Sequence, residues 1–551
     1  MVTFTLGLLG CTPEPLDDSL YPDPVVSVSL FDPPAGAMVH PGAVTVRGEV
    51  KGLTDLRLDG VLVEVDGNLW QTEVELPRGI TTFEVGGLDA TGHRVFLRQS
   101  VLAGDYGDPG ADVPGAVGVR LNMGALNATS DLVAGLVDPA QVQGLLPSLN
   151  PVYSDSYGVF GIDAVEVAAD LQSVWFSPLE LTLDPGAGAV DVEVRLPDLE
   201  VVVPVYGQAI GIDFDTELSL TADAAVVRGF LELGAANGKL TANLVAPTVE
   251  LQGFVFDTTA LPGSIEDALL SGTIRTVVED LLTEQVSAMV PSLLDDQLST
   301  LAIAFDTELL GKQLSLEAGF ADVWIDRDGI ELAADVSLGV EGPWVKNTEG
   351  WLRAPGADVG PDTGPDLAVG LSDELVNRLL HDLWRVGLLD LNLSSADGSL
   401  DPLLLAPLGA KSEGSLVTDA DLPPILIQSG DEAVLQLGEF NVTVDTPGGA
   451  NGEHLEVTVS GQIPVDLEIV DSALTLALGT PALQFMVRDN DWGGSDETLT
   501  SVLESRLPVA SMLALVGDLE IPLPEIYGLT LPDARVDRDD AGLVTTIDLN
   551  L

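Results

Sequence analysis

Side chains able to do chemistry are few and scattered in this sequence. The four histidines, His40, His93, His381 and His454, lack the spacing that lets imidazoles share a metal. The HExxH helix, the G-x-S-x-G elbow and the phosphate-cradling P-loop are all missing from the sequence. Carboxylates gather near glycines in "RDNDWGGSDE" (488–497), in "IDRDG" (325–329) and in "VDRDDAG" from Val536. The first places Asp489, Asp491 and Asp496 somewhat as a calcium loop would, without the closing glutamate. Hairpin turns bearing solvated acids account for all three. His381 falls off the apolar stripe of a predicted helix and is expected to face solvent. These residues point away from an enzyme, and neither a metal nor another cofactor is expected.

Charge narrows the partners. The chain has 551 residues, with 87 acidic against 22 basic side chains and a formal net charge of −65. Nucleic-acid phosphates need a basic footprint, so no nucleic-acid partner is expected. Docking on anionic lipid by charge is equally disfavoured. Disorder does not follow, because 46% of the residues are hydrophobic and can supply large cores.

The single cysteine, Cys11, rules out an intrachain disulfide within this sequence. It ends the apolar run "LGLLGC" and precedes a Pro/Asp-rich tether, "TPEPLDDSLYPDP". The segment resembles the bacterial lipobox, in which the cysteine is acylated and becomes the mature N-terminus. No Lys or Arg precedes Cys11, and a start upstream of Met1 would account for that. The expectation is a lipid-anchored protein of the bacterial cell envelope. Thr12 is not the Asp that retains many lipoproteins at the inner membrane, so the outer membrane is preferred.

The elements divide the chain as follows. Residues 1–11 form the signal segment and 12–25 the tether. Residues 26–103 show short alternating strands, such as Val44, Val46, Gly48 and Val50, with turn signals every ~8–12 residues, the pattern of a β-sandwich. They resemble bacterial Ig-like modules, whose expected role is a spacer. From 115 the strands lengthen. Leu455 to Ile469 hold one phase for fifteen residues, giving a strand ~50 Å long. A long helix is predicted over 264–302, opened by a capping box of Ser264 and Asp267. Its stripe includes Ile274, Val278, Leu282, Val286, Met289, Val290 and Leu294, and Pro291 is expected to kink it. Residues 341–366 are Pro/Gly-rich and read as a linker. A second helix follows: Ser372 as N-cap, Asp373 and Glu374 in its first turn, Gly387 past its end. Leu379, Leu383 and Trp384 lie on its apolar stripe. The order of helices and long strands is shared by 115–340 and 367–551, which read as two diverged copies of one architecture.

The stretch "GLSDELVNRLLHDLWRVGLLDLNL" (370–393) resembles the opening of the C-terminal domain of bactericidal/permeability-increasing-type proteins, the tubular lipid-binding (TULIP) superfamily. The end of the chain, "GDLEIPLPEIYGLTLPDARVDRDDAGLVTTIDLNL", is similar to that family's closing segment. The resemblance implies an α+β, mostly β fold. Two tandem tubular lipid-binding domains, 115–340 and 367–551, would each wrap a long curved antiparallel sheet around a long helix, after the Ig-like β-sandwich. It also implies a lipid or other hydrophobic ligand held in an apolar groove, lined in part by the helix residues named above, with Leu379, Leu383 and Trp384 closing one end. Basic residues in 115–340 are few, so a neutral or zwitterionic ligand fits better than one captured through phosphates. Two other readings stay open: a structural or adhesive surface lipoprotein with filled cores, and, from the Ig-like module alone, carbohydrate binding.

Overall fold

The computed structural model describes residues 26–136, 143, 146, 150–159, 162–209, 212–257, 273–299, 304–309, 312–354, 365–400, 414–429, 432–446, 454–470 and 473–491, then 499–500, 503, 520–522, 535–538 and 544–549. The protein is mostly β, with curled half-barrel sheets. Three principal helices are described: α1 (Met123–Leu136), α2 (Thr273–Ser299) and α3 (Asp373–Arg385).

The N-terminal strands form two sheets. One runs Ser27–Asp32, Gly42–Lys51, Leu69–Leu76, Val65–Asp66; the other runs Met38–Val39, Arg94–Ala103, Gly79–Leu88, Thr54–Leu58, Val61–Leu62. Their facing sides share a core that includes Val46, Val50, Trp70, Phe83, Val85 and Val101. This is the two-layer solution to strands that are greasy on one face.

The second of these sheets is covered on its other face too. Leu102 and Ile80 pack with Leu422, Ile425, Ile427 and Val434 of the chain's second half. Polar bonds reinforce the seam. The Ser100 backbone N–H donates to Glu439 Oε1 at 2.5 Å, and the Ser100 and Ser460 hydroxyls meet at 2.8 Å. Arg488 donates to the Arg98 carbonyl at 3.0 Å. At Gly438 a Cβ would fall 2.8 Å from Ile80 and 2.9 Å from Ser100, so a glycine permits this approach. The sequence assigns this module a spacer's role; in the structure it is docked on the second half through a partly apolar, hydrogen-bonded seam.

The two halves meet in a seven-stranded sheet ordered Ala304–Leu309, Lys312–Ile325, Gly329–Val340, Val113–Asn122, Leu367–Ser372, Val544–Leu549, Arg535–Arg538. Val113–Asn122 pairs antiparallel with Leu367–Ser372, Val117 opposite Leu371 and Leu121 opposite Leu367. Each of these two strands runs directly into a helix, α1 at Met123 and α3 at Asp373.

Beyond this junction each half has an eight-stranded sheet. In the first, Val190–Ala209 pairs antiparallel with Ile212–Ala236, itself 25 residues long. Sheets of such strands must twist. Along Val190–Ala209 the buried positions are even to Leu196 and odd from Leu199, stepping at Asp198, whose φ is +52°. On the partner, Leu218, Leu220 and Ala222 give way to Ala225, Val227 and Leu231 in the same core. A one-residue step turns every following side chain over. Because both strands step together, the concave side stays apolar across the crease. In the second eight-stranded sheet Glu432–Asp445 pairs with His454–Val470, and Leu455, Val457, Val459, Ile463 and Val465 are buried in one phase.

Candidate functional site

Helix α2 lies against the first eight-stranded sheet. Val278, Leu282, Val286, Val290, Leu294 and Leu298 are buried, each four residues after the last. That spacing keeps them on one slowly drifting face. Leu281, Met289 and Leu293 flank it half-buried, and Asp280, Glu284 and Asp296 are exposed. Pro291 sits inside the helix. The Ile274 side chain, and the capping box of Ser264 and Asp267, lie outside the described residues.

Between α2 and the sheet is a narrow apolar cavity of about 40 Å3. From the helix it is lined by Val278, Leu281, Leu282, Val286 and Met289, with Gln285 as its one polar residue. The opposite wall is Val174, Phe176, Leu179, Leu196, Leu199 and Val201, with Leu146 at one end. Water gains nothing from such walls, which offer almost no hydrogen-bonding partners. Of the residues the sequence points to, Val278, Leu282, Val286 and Met289 come together here. Val290 and Leu294 continue the buried stripe past the cavity.

Leu379, Leu383 and Trp384 are elsewhere. All 13 residues of α3 are buried. Its local design follows the sequence: Ser372 accepts from the Glu374 N–H at 3.1 Å. At the other end the Leu388 N–H reaches the Leu383 carbonyl and the Gly387 N–H the Trp384 carbonyl, with Gly387 at φ +73°, a Schellman motif. The Trp384 indole N–H donates to the Ala420 carbonyl at 2.7 Å. Asn377 bonds both the N–H and the carbonyl of Leu426, at 2.6 and 3.0 Å. None of these α3 residues lines the cavity beside α2.

His381 departs from expectation. It is 1% exposed, with Nε2 2.9 Å from the Thr348 hydroxyl and Nδ1 3.2 Å from Asp382. Burial pushes its pKa down, against the pull of Asp382. The cause is the segment 341–354, which crosses the polar side of α3. The Arg378 guanidinium lies 4.5 Å from the Trp351 ring and that of Arg385 3.7 Å from the Trp344 ring. Arg353 bonds Glu374 at 3.0 Å, and the Val345 N–H donates to the Arg385 carbonyl. Arg378 also pairs with Asp382 at 3.0 Å. Sequence reasoning missed this layer. The available signal was two tryptophans, a lysine and an arginine inside a Pro/Gly-rich stretch, residues a bare connector has no need of.

Of the three acidic stretches only 325–329 is described throughout, and it behaves as a turn; 488–490 and 536–538 lie in strands, and 492–497 and 539–542 lie outside the described residues. Asp326 accepts the N–H groups of Asp328 and Gly329 and pairs with Arg120 at 2.8 Å. Although partial burial alone would raise it, these bonds hold the Asp326 carboxyl below its ordinary value. Among the described residues no three His, Cys, Asp or Glu side chains converge as metal ligands would. Asp496 lies outside them. No described helix is long and apolar enough to cross a membrane.

No protein-family profile matches the sequence, and no curated protein matches it either. Solved structures do overlap with it. A lipopolysaccharide binding protein aligns over 80% of this chain and 98% of its own, at 14% identity and a TM-score of 0.41. P47 of Clostridium botulinum E1 aligns over 80% and 100%, at 8% identity and a TM-score of 0.26. At such scores neither likeness carries a functional argument, and the reading that follows stands on this chain's own geometry.

Proposed function

We propose that the protein is a non-catalytic binder of a lipid or other hydrophobic ligand, with acyl chains received between α2 and the first eight-stranded sheet. The observation that carries this is the cavity wall: twelve apolar side chains and one glutamine, contributed by both layers. Moving an acyl chain from water into such a site gains about 0.8 kcal/mol per buried CH2. A donor membrane is equally apolar, so the site gives solubility and transit rather than tight net affinity. A space of about 40 Å3 is smaller than a whole acyl chain. Loading therefore requires α2 to move outward, which its apolar contacts allow because they are non-directional.

The wider setting belongs to the same proposal. Cys11 would carry the lipid anchor, placing the chain at the bacterial cell envelope, on the outer membrane, with the Ig-like sandwich nearest the tether. The charge of −65 favours an uncharged or zwitterionic ligand. The small cavity volume also favours a second reading, a structural or adhesive surface lipoprotein whose tubular halves are filled by their own side chains. Organic extraction of the purified protein, followed by mass spectrometry and an uptake assay with a fluorescent zwitterionic phospholipid, separates the two. Co-purifying acyl chains and saturable uptake support the binder; neither signal leaves the filled scaffold.

A further inference from the structure

A second opening lies far from α2 in kind. Where the outer face of the second eight-stranded sheet meets the sandwich there is a polar cleft of about 330 Å3. Gln436 and Gln462 are direct cross-strand partners, and Gln462 in turn faces Ala482, two residues from Gln484. Direct partners, and residues two apart, project from the same face of a sheet. Three carboxamides therefore share one surface. The sandwich roofs them with Ile80 and Thr82.

The central carboxamide is fixed. Gln436 is 5% exposed, and its Oε1 accepts the Ile80 backbone N–H at 2.7 Å. A backbone N–H can only donate, so the oxygen must face Ile80 and the NH2 group turns away from it. A Cβ at Gly79 would sit 2.7 Å from Gln436 Oε1, so glycine there gives the side chain its room. The Thr82 hydroxyl is tied to that of Ser100 at 2.9 Å. Gln462 and Gln484 are exposed. No charged residue lines the cleft among the described residues, in a chain that carries 87 carboxylates.

We propose that this cleft binds an uncharged, hydroxyl-rich ligand, a neutral saccharide of one or two units. A hydroxyl both donates and accepts, and so does a carboxamide, which makes the two complementary at every position around the ring. An anionic ligand would find no cation in the lining and a repulsive field around it. An apolar ligand would leave the carboxamides without partners, at a cost. The volume suits a small ligand, at the lower end of the usual range for binding pockets. The site is independent of the lipid reading: it uses other residues and the opposite chemistry.

The test uses the full chain and saturation-transfer NMR with glucose, maltose and N-acetylglucosamine, against glucuronate as the charged control. Saturable binding of at least one neutral sugar in the range on the order of 0.1–10 mM is expected, with glucuronate much weaker. The double variant Gln462→Ala/Gln484→Ala changes two exposed side chains and should keep its melting temperature while losing at least tenfold in affinity. No saturable signal from any of the three neutral sugars, glucuronate binding as well as glucose, or full affinity in the double variant would each overturn the proposal.

Discussion

Helices α1 and α3 begin alike and end differently. Each grows straight out of a strand of the seven-stranded sheet, and those two strands are antiparallel neighbours. Yet α1 buries one face, Ala125, Leu126, Thr129, Ser130 and Val133, while α3 buries every residue. The difference is what covers them. The polar side of α3 lies under 341–354, and Arg378 and Arg385 are sandwiched against tryptophans there. The sandwich then packs on the adjoining strands. The first half keeps its apolar cavity. One end of the molecule is consolidated by added layers, and the other keeps a narrow apolar cavity between its layers.

The contrast between the two helices is most exposed to mutation at α3. Trp384→Ala removes a buried ring and leaves the Ala420 carbonyl without its donor, so a loss of about 3–5 kcal/mol in denaturant unfolding is expected. Val133→Ala on α1 removes two carbons, for a loss of about 2 kcal/mol at ~0.8 per methylene plus a small cavity term. Equal losses would remove the contrast between the helices. Arg378→Met should cost about 3 kcal/mol or more, because it removes the cation from the buried Asp382 and leaves it only His381 Nδ1. Adding Asp382→Leu should recover most of it, measured as a double-mutant cycle, because the pair is then replaced by packing.

At the other end, Val286→Trp would fill the cavity beside α2. Uptake of the fluorescent lipid should fall at least tenfold, at a stability cost of about 1–3 kcal/mol for the added bulk. The smallest effect concerns His454. Its bond to Asp445, 2.7 Å long, raises its pKa above the ordinary 6.5, against slight burial. A raised histidine stabilises the fold fully below its unfolded pKa, and that contribution fades as pH rises through the folded value. His454→Ala should therefore lose more melting temperature relative to wild type at pH 5.5 than at pH 8.5.

What was legible in the sequence was local. Ser372, Gly387 and the stripe of α3 follow capping and periodicity, which need only neighbours in the chain. The long strands announced themselves by uninterrupted alternation. The pairing of Val117 with Leu371 left no such trace, because it joins residues 254 apart and nothing near either one encodes the other. His381 was misjudged for the same reason: a polar residue on a polar helix face reads as solvated unless the segment that buries it is known. The α2 stripe was readable from its spacing, whereas the hollow beside it depends on Phe176, Leu199 and Val201 across the gap, on strands whose register no local rule gives.

The antiparallel seam at the centre of the seven-stranded sheet relates the two strand–helix units by a local dyad, the symmetry of an isologous dimer. The polypeptide is in that sense a dimer with its own other half, held at an effective concentration no free subunit could reach. Expressing either half alone would bare an interior strand as an edge, and bared edges recruit whatever strand they meet. A fragment cut at this seam should therefore be recovered as self-paired or aggregated material rather than as a smaller monomer.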